Sequence, residues 1–446
     1  MLSTAVPRSA AVLRAVVAAI AALALLAIPM AAPSSAGGSS TRTVVAVIDS
    51  STNPYHEFFQ TSQSSVTPAV LAEFGITNNR IINLTRTGDF EADYAADKAK
   101  LDAIQPGKAY WFKGTNVIGI SFDDSTTRRI LPDDSGDTHG VGTTAAVLKA
   151  HPKAIVVLVE GVNSDSETWA FTHPAVDIIS TSYGIPGSVP TGMHLEDSYR
   201  GVVGLGKQHF GAADNSPAAS PPDGTSGPWW TIGIAGFHEG SSEGREALSG
   251  SLPDFLGDFT QPLPYCFDCE SGTRSVSGTS FATPRSAGTF SKTLLQARQA
   301  SGHRGGIVTE GVRRPVMVSS TGGGLAAGGL TNWELRRALE ESAYYPAYAD
   351  YDPNKNVEED LTSVPINDVA PWAQAGWGAL TVGVKHKVVP ETLAHTGIAG
   401  FGKPTRSKSA LTCQVMTLNI DARHAYWDNS PFSQSFGKTA DPYAYC

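Results

Sequence analysis

Charge is scarce in this chain, and positive charge never gathers. Of 446 residues 17% are charged, the formal net charge is −9, and no block of lysines or arginines occurs. That excludes the basic footprint by which proteins hold nucleic acid. Long apolar runs are as few: AVVAAIAALALLAIPM at 15–30 stands alone, rather short for a transmembrane anchor, and no second run follows it. Cysteine is confined to Cys266, Cys269, Cys413 and Cys446. No second C-x-x-C and no nearby histidine pair accompanies Cys266 and Cys269, so zinc lacks the rest of a ligand set, and no metal ligands are assigned.

The one long apolar run has the surroundings of an export signal. Residues 1–36 hold Arg8 and Arg14, no acidic residue, and a small-residue stretch ending at Ala36. A charged start, an apolar middle and a small-residue cleavage site make a secretory signal peptide. The expected product is secreted and extracellular, with no membrane contact after cleavage. Losing both arginines takes the charge from −9 to −11. Export favours disulfides. Four cysteines allow three pairings; Cys266–Cys269 and Cys413–Cys446 are preferred because each pair lies in one segment. A redox pair at the C-x-x-C is the other reading.

Beyond the signal the pattern repeats. TVVAVID (43–49), NVIGISF (116–122), AIVVLVE (154–160), VDIISTS (176–182), HFGAAD (209–214) and WWTIGIAG (229–236) are short, continuous apolar runs bounded by turn residues. Continuous runs fit strands buried on both faces, as in parallel sheets. Helix-like stretches stand among them at 90–104, 140–150 and 331–343. The alternation predicts an α/β fold: a doubly wound, mostly parallel sheet with helices on both faces. Ligands in such sheets bind at the carboxyl ends of strands. Those ends are polar here: Asp49 closes the first run, Asn215 follows HFGAAD, and Tyr183-Gly184 follows VDIISTS. Asp123 and Asp124 end another run and compete with Asp49 for any acidic role.

SVSGTSFATPRSAG (275–288) places Ser280 at the mouth of a helix-like run, with Pro284 close behind. A serine there reads as an N-cap with proline in the first turn. It also reads as a nucleophile whose charged transition state lies near the helix's positive end. Serine needs a base to take its proton, histidine suits that work near neutral pH, and a carboxylate fixes the ring's tautomer. Asp49, His139 in DTHGVGTT (137–144) and Ser280 supply those parts, and Asn215 supplies a donor for an oxyanion.

At this point the chain resembles the subtilisin-like serine proteases. VVAVIDSSTNPYHEFF is similar to that family's aspartate motif, DTHGVGTTAA to its histidine motif, and GTSFATP to its serine motif, in the family's order. STSYG resembles the substrate-pairing strand and GAADN the segment carrying the oxyanion asparagine. The resemblance spans roughly 43–385. It implies that Asp49 orients the base, His139 is the base, Ser280 is the nucleophile and Asn215 shares the oxyanion with the Ser280 N–H. It also implies that Ser182, Tyr183 and Gly184 pair with an extended protein or peptide substrate. The chemistry needs no cofactor.

The chain departs from that pattern in places. Asp49 and His139 are 90 positions apart, which implies an insertion at about 57–133. Fewer than ten residues separate the cleavage site from the first strand, leaving no room for a propeptide. Asp214 stands where the family has glycine, and a second histidine is missing after His139. The peptidase domain is placed at 37–395 and a cysteine-containing extension at 396–446. Structural calcium is common in the family; the alternating acids and amides of DYDPNKNVEED (350–360) favour a solvated loop over a calcium loop, since Lys355 sits where glycine is wanted and Leu361 where glutamate is. The expected function is a secreted serine endopeptidase. The alternatives are a silent binding protein on the same scaffold and a sedolisin-like acid peptidase, which would pair its serine with Glu and Asp. No signal speaks to oligomeric state.

Overall fold

The six apolar runs become strands of one sheet. The computed structural model describes residues 41–184, 195–216, 225–239, 246, 249–250, 252–301, 331–344, 375–381, 387–405 and 424–437. The apolar amino-terminal segment, the acidic run 350–360, Cys413 and Cys446 lie outside them. In chain order the strands are β1 Val44–Asp49, β2 Ile81–Ile82, β3 Tyr110–Phe112, β4 Val117–Ser121, β5 Ile155–Glu160, β6 Ile178–Thr181, β7 Gln208–Ala212, β8 Ile232–Phe237 and β9 Phe255–Asp258. Their order across the sheet is β2-β3-β4-β5-β1-β6-β7-β8-β9. Every pairing is parallel except β3 with β4. The α/β, mostly parallel architecture expected from the runs is the one observed.

Continuous apolarity has its reason in burial on both faces. Val45 and Val47 enter a core shared with α3 (His139–Ala150) and α6 (Thr279–Ser301), through Val141, Ala145, Phe281 and Phe290. Val44, Ala46 and Ile48 point the other way, against Val70 of α1 (Pro68–Glu73) and Phe171 of α4 (Ser164–Thr172). Helices therefore cover both faces.

The segment 57–133, expected as an insertion, continues the sheet. It carries α1, β2, α2 (Phe90–Leu101), β3 and β4, with Thr67 and Asp89 side chains capping the two helices. Among the strands not read in the sequence are β2 and β3, β9, and an antiparallel hairpin of β10 (Thr260–Leu263) and β11 (Arg274–Ser277) leading into α6. Residues 424–437, in the stretch set apart as an extension, pack into the second core. Trp427 is fully buried, its ring 5.0 Å from Trp230, and Phe436 lies 5.5 Å from Tyr199 of α5 (Leu195–Tyr199).

Because β5 lies on one side of β1 and β6 on the other, the winding reverses at β1. A crevice opens at the carboxyl end of such a switch point. Asp49 is the residue found there.

Candidate active site

Asp49 faces the same side as Val45 and Val47, toward α3 and α6. It is 4% exposed. Ser50 N–H donates to Oδ1 at 2.8 Å and the Thr143 hydroxyl to Oδ2 at 2.9 Å. His139 Nδ1 lies 2.9 and 3.0 Å from the two oxygens. A carboxylate only accepts, so Nδ1 carries the proton and Nε2 keeps its lone pair. The Asp49 charge raises the imidazole's pKa above its ordinary value, against the opposing effect of burial. Asp123 and Asp124 drop out as rivals: Asp123 Oδ1 is taken by Ser125, and the Asp124 side chain is 92% exposed.

Two short segments fix this pair. Gly140 N–H donates to Ser50 Oγ at 3.2 Å, and the Ser51 hydroxyl donates to the Asp137 carbonyl. A Cβ on Gly140 would run into the Ser51 carbonyl, so the His-Gly pairing has a steric cause. Thr143 went unread in the sequence. It lies one turn beyond His139 on the same helix face, a spacing that would have found it.

Ser280 lies in the first turn of α6 and is not its cap, which corrects the capping reading. Gly278 starts the helix, its carbonyl accepting from Phe281 and Ala282 N–H at 3.0 and 3.2 Å, at a φ of +147° that suits glycine. Pro284 has no N–H to offer the Ser280 carbonyl four residues back. The Ser182 hydroxyl donates to that carbonyl instead, at 2.8 Å. The Ser280 hydroxyl donates to the Ser182 carbonyl at 3.5 Å, a long bond, and is not hydrogen-bonded to His139 in this structure. The His139 ring centroid is 5.5 Å from that of Phe281, the residue next to Ser280.

Asn215 follows β7 and is exposed. Its Oδ1 accepts from Thr279 N–H at 2.8 Å and from the Thr279 hydroxyl at 3.2 Å. Anchoring the oxygen leaves Nδ2, the donor, beside the segment that carries Ser280. Asp214 holds a left-handed φ of 83°, the conformation for which glycine is the easier residue. Ser182, Tyr183 and Gly184 follow β6. Ser182 is buried against Ser280, Tyr183 donates to Glu167 Oε1 at 2.7 Å, and Gly184 is exposed.

Cys266 and Cys269 are bridged, as expected. His56 has a ring nitrogen within 4.8 Å of both sulfurs, a neighbour invisible in sequence spacing. Its Nε2 is engaged with the Gly272 carbonyl at 2.7 Å and its Nδ1 with Phe58 N–H at 3.1 Å, so the ring works as a brace.

No protein-family model and no curated protein matches the chain. Solved structures do resemble it. The prenylagaramide maturation protease PagA is 14% identical with a TM-score of 0.43, over 79% of this chain and 93% of that one. A cold-adapted subtilisin-like serine proteinase is 18% identical with a TM-score of 0.35, over 59% and 77%. The PatG macrocyclase, solved in complex with peptide, is 13% identical with a TM-score of 0.41, over 80% and 92%. A likeness this distant carries nothing about the reaction, which rests on the side chains.

Proposed function

We propose that this protein is a secreted serine endopeptidase of the subtilisin-like kind, hydrolysing peptide bonds through an acyl-enzyme. The observation that carries the reading is the Asp49–His139 pair, held Nδ1 to carboxylate, with Ser280 in the first turn of α6 and the Asn215 amide anchored to that turn through Thr279. His139 takes the Ser280 proton on Nε2 while Oγ attacks the substrate carbonyl carbon. Asp49 stabilises the imidazolium that forms. The Ser280 N–H and Asn215 Nδ2 receive the oxyanion. His139 then returns the proton to the leaving amine, and water repeats the sequence on the ester. Ser182 to Gly184 offers backbone groups to an extended peptide. No step calls for a metal or cofactor. The aspartate–histidine pairing speaks against the sedolisin-like alternative, whose serine works with Glu and Asp.

A serine-directed fluorophosphonate tests the reading. It is expected to label the mature protein once, at Ser280, with labelling that rises with pH through a midpoint above 6.5, because the Asp49 charge holds the His139 proton. Peptide mapping locates the adduct. Efficient labelling of folded His139→Ala protein would overturn the assignment of the base.

A further inference from the structure

One residue beside the site has no part in that mechanism. Glu160 ends β5 in register with Asp49 of β1 and Ser121 of β4. By the two-residue period of strands its side chain shares the face of Leu158 and Val156, which is the face Asp49 uses. It is 1% exposed, with the Ser121 hydroxyl beside its carboxyl. Its Oε1 accepts from the Ile130 N–H at 2.8 Å.

Ile130 is itself unusual. It holds φ +73°, a left-handed conformation that a β-branched residue adopts only under constraint. Three contacts supply that constraint. Its N–H is on Glu160, its carbonyl accepts from Thr52 N–H at 2.7 Å, and its buried side chain lies over Gly119, where a Cβ would collide with it. Thr52 is three residues past Asp49, in the loop whose Ser50 and Ser51 grip Gly140 and Asp137 on either side of His139.

We infer that Glu160 is a positioning residue: its carboxyl holds Ile130 in the strained conformation, and Ile130 sets the 50–52 loop that registers His139 against Asp49. The inference rests on the proposed peptidase reading for its catalytic consequence, though not for the geometry. The charged groups that act on the Glu160 carboxyl are Asp137 before α3 and Asp123 beyond β4; the Ser121 hydroxyl and the Ile130 N–H also bear on it, and Asp49 stands across the register. Burial raises the Glu160 carboxyl to about 8, with Asp137 and Asp123 adding to the rise against Ser121 and the Ile130 N–H. The neutral acid is therefore the form that holds the latch at neutral pH, and alkali places a charge in it.

Following the His139 ring by NMR across pH in the wild type, Glu160→Gln and Glu160→Ala tests this, with peptide hydrolysis measured on the same samples. The wild type should show the imidazole's own step and a second, alkaline step as Glu160 ionises. Glu160→Gln, which keeps the acceptor and cannot ionise, should lose only the second step and keep kcat within about twofold. Glu160→Ala should move the first step down toward 6.5 and lower kcat about tenfold or more, with KM nearly unchanged. If the alanine variant does not fold, the glutamine variant decides. Coincident curves, no alkaline step in the wild type, or an alkaline step surviving in Glu160→Gln would overturn the inference. A wild type that shifts as described but hydrolyses no peptide would keep the positioning role and remove the peptidase.

Discussion

Around Asp49 three donors converge on a carboxylate that is 4% exposed, and the loop after it is tied to the start of α3. Around Ser280 the hydroxyl makes one bond of 3.5 Å, and the neighbouring Asn215 is exposed. In the proposed reaction the base, His139, is held in place before substrate arrives, while the nucleophile, Ser280, stays loosely tethered in an open setting. That difference suits what each would do in that reaction. The imidazole has to present one tautomer in one direction, and errors there are costly. The serine must leave its resting partner to attack, so a strong resting bond would oppose the reaction.

Breaking the rigid half should have the largest effect. Asp49→Asn keeps the shape but offers His139 an amide that can turn its N–H toward Nδ1. The ring would then carry its proton on Nε2, where the lone pair is needed. A loss on the order of 10⁴ in kcat is expected, with little change in thermal stability. Steady-state kinetics beside a melting curve checks it, and a loss below about tenfold would mean that the carboxylate does not set the tautomer.

Asn215→Ala probes the open half. If Nδ2 donates to the oxyanion, its bond matters when the carbonyl oxygen becomes charged, so kcat should fall by about 10²–10³ and KM should barely move. That magnitude is the one subtilisin shows on losing its own oxyanion asparagine, and it is carried over to this site by analogy. Anchoring of Oδ1 by Thr279 adds a sharper expectation: Asn215→Asp keeps the acceptor and loses the donor, and should be as slow as alanine while melting closer to the wild type. An alanine variant with near-normal kcat and a lowered melting temperature would leave Asn215 as a strut for the helix start.

Both halves are legible in the sequence at their motifs. Strands buried on both faces announce themselves as unbroken apolar runs, and Asp49, His139 and Ser280 each sit in a short local motif. What stayed hidden depends on distant contacts. His56 meets the Cys266–Cys269 bridge from a far part of the chain, and Trp427 reaches the second core from a segment with no periodic signal. Strand β2 is two residues long, and β10 contains Pro262, so neither offers a run to read. Glu160 reads as the polar end of a strand, and only the fold over it by Ile130 reveals its burial. Asp214 was visible as a departure from glycine, and the left-handed φ it holds shows what the departure costs locally.

The smallest effect belongs to the contact that ties the start of α6 to the end of β6. Pro284 deprives the Ser280 carbonyl of its helical donor, and the Ser182 hydroxyl takes that place at 2.8 Å. Ser182→Ala should leave a half-buried carbonyl unpartnered and destabilise the protein by about 1 kcal/mol, with kcat within a few-fold of wild type. The cause can be separated from lost packing by restoring the donor from within the helix. Pro284→Ala supplies an N–H in the position where an α-helix would bond it to the Ser280 carbonyl. In the double variant the two changes should then be non-additive, with Ser182→Ala costing less in the presence of Ala at 284 than in its absence. Denaturant midpoints at constant slope for the four proteins of the cycle measure that coupling. Strict additivity would mean that the Ser182 hydroxyl does not stand in for the missing helical hydrogen bond, and that the serine's place beside Ser280 has to be explained by the substrate strand alone.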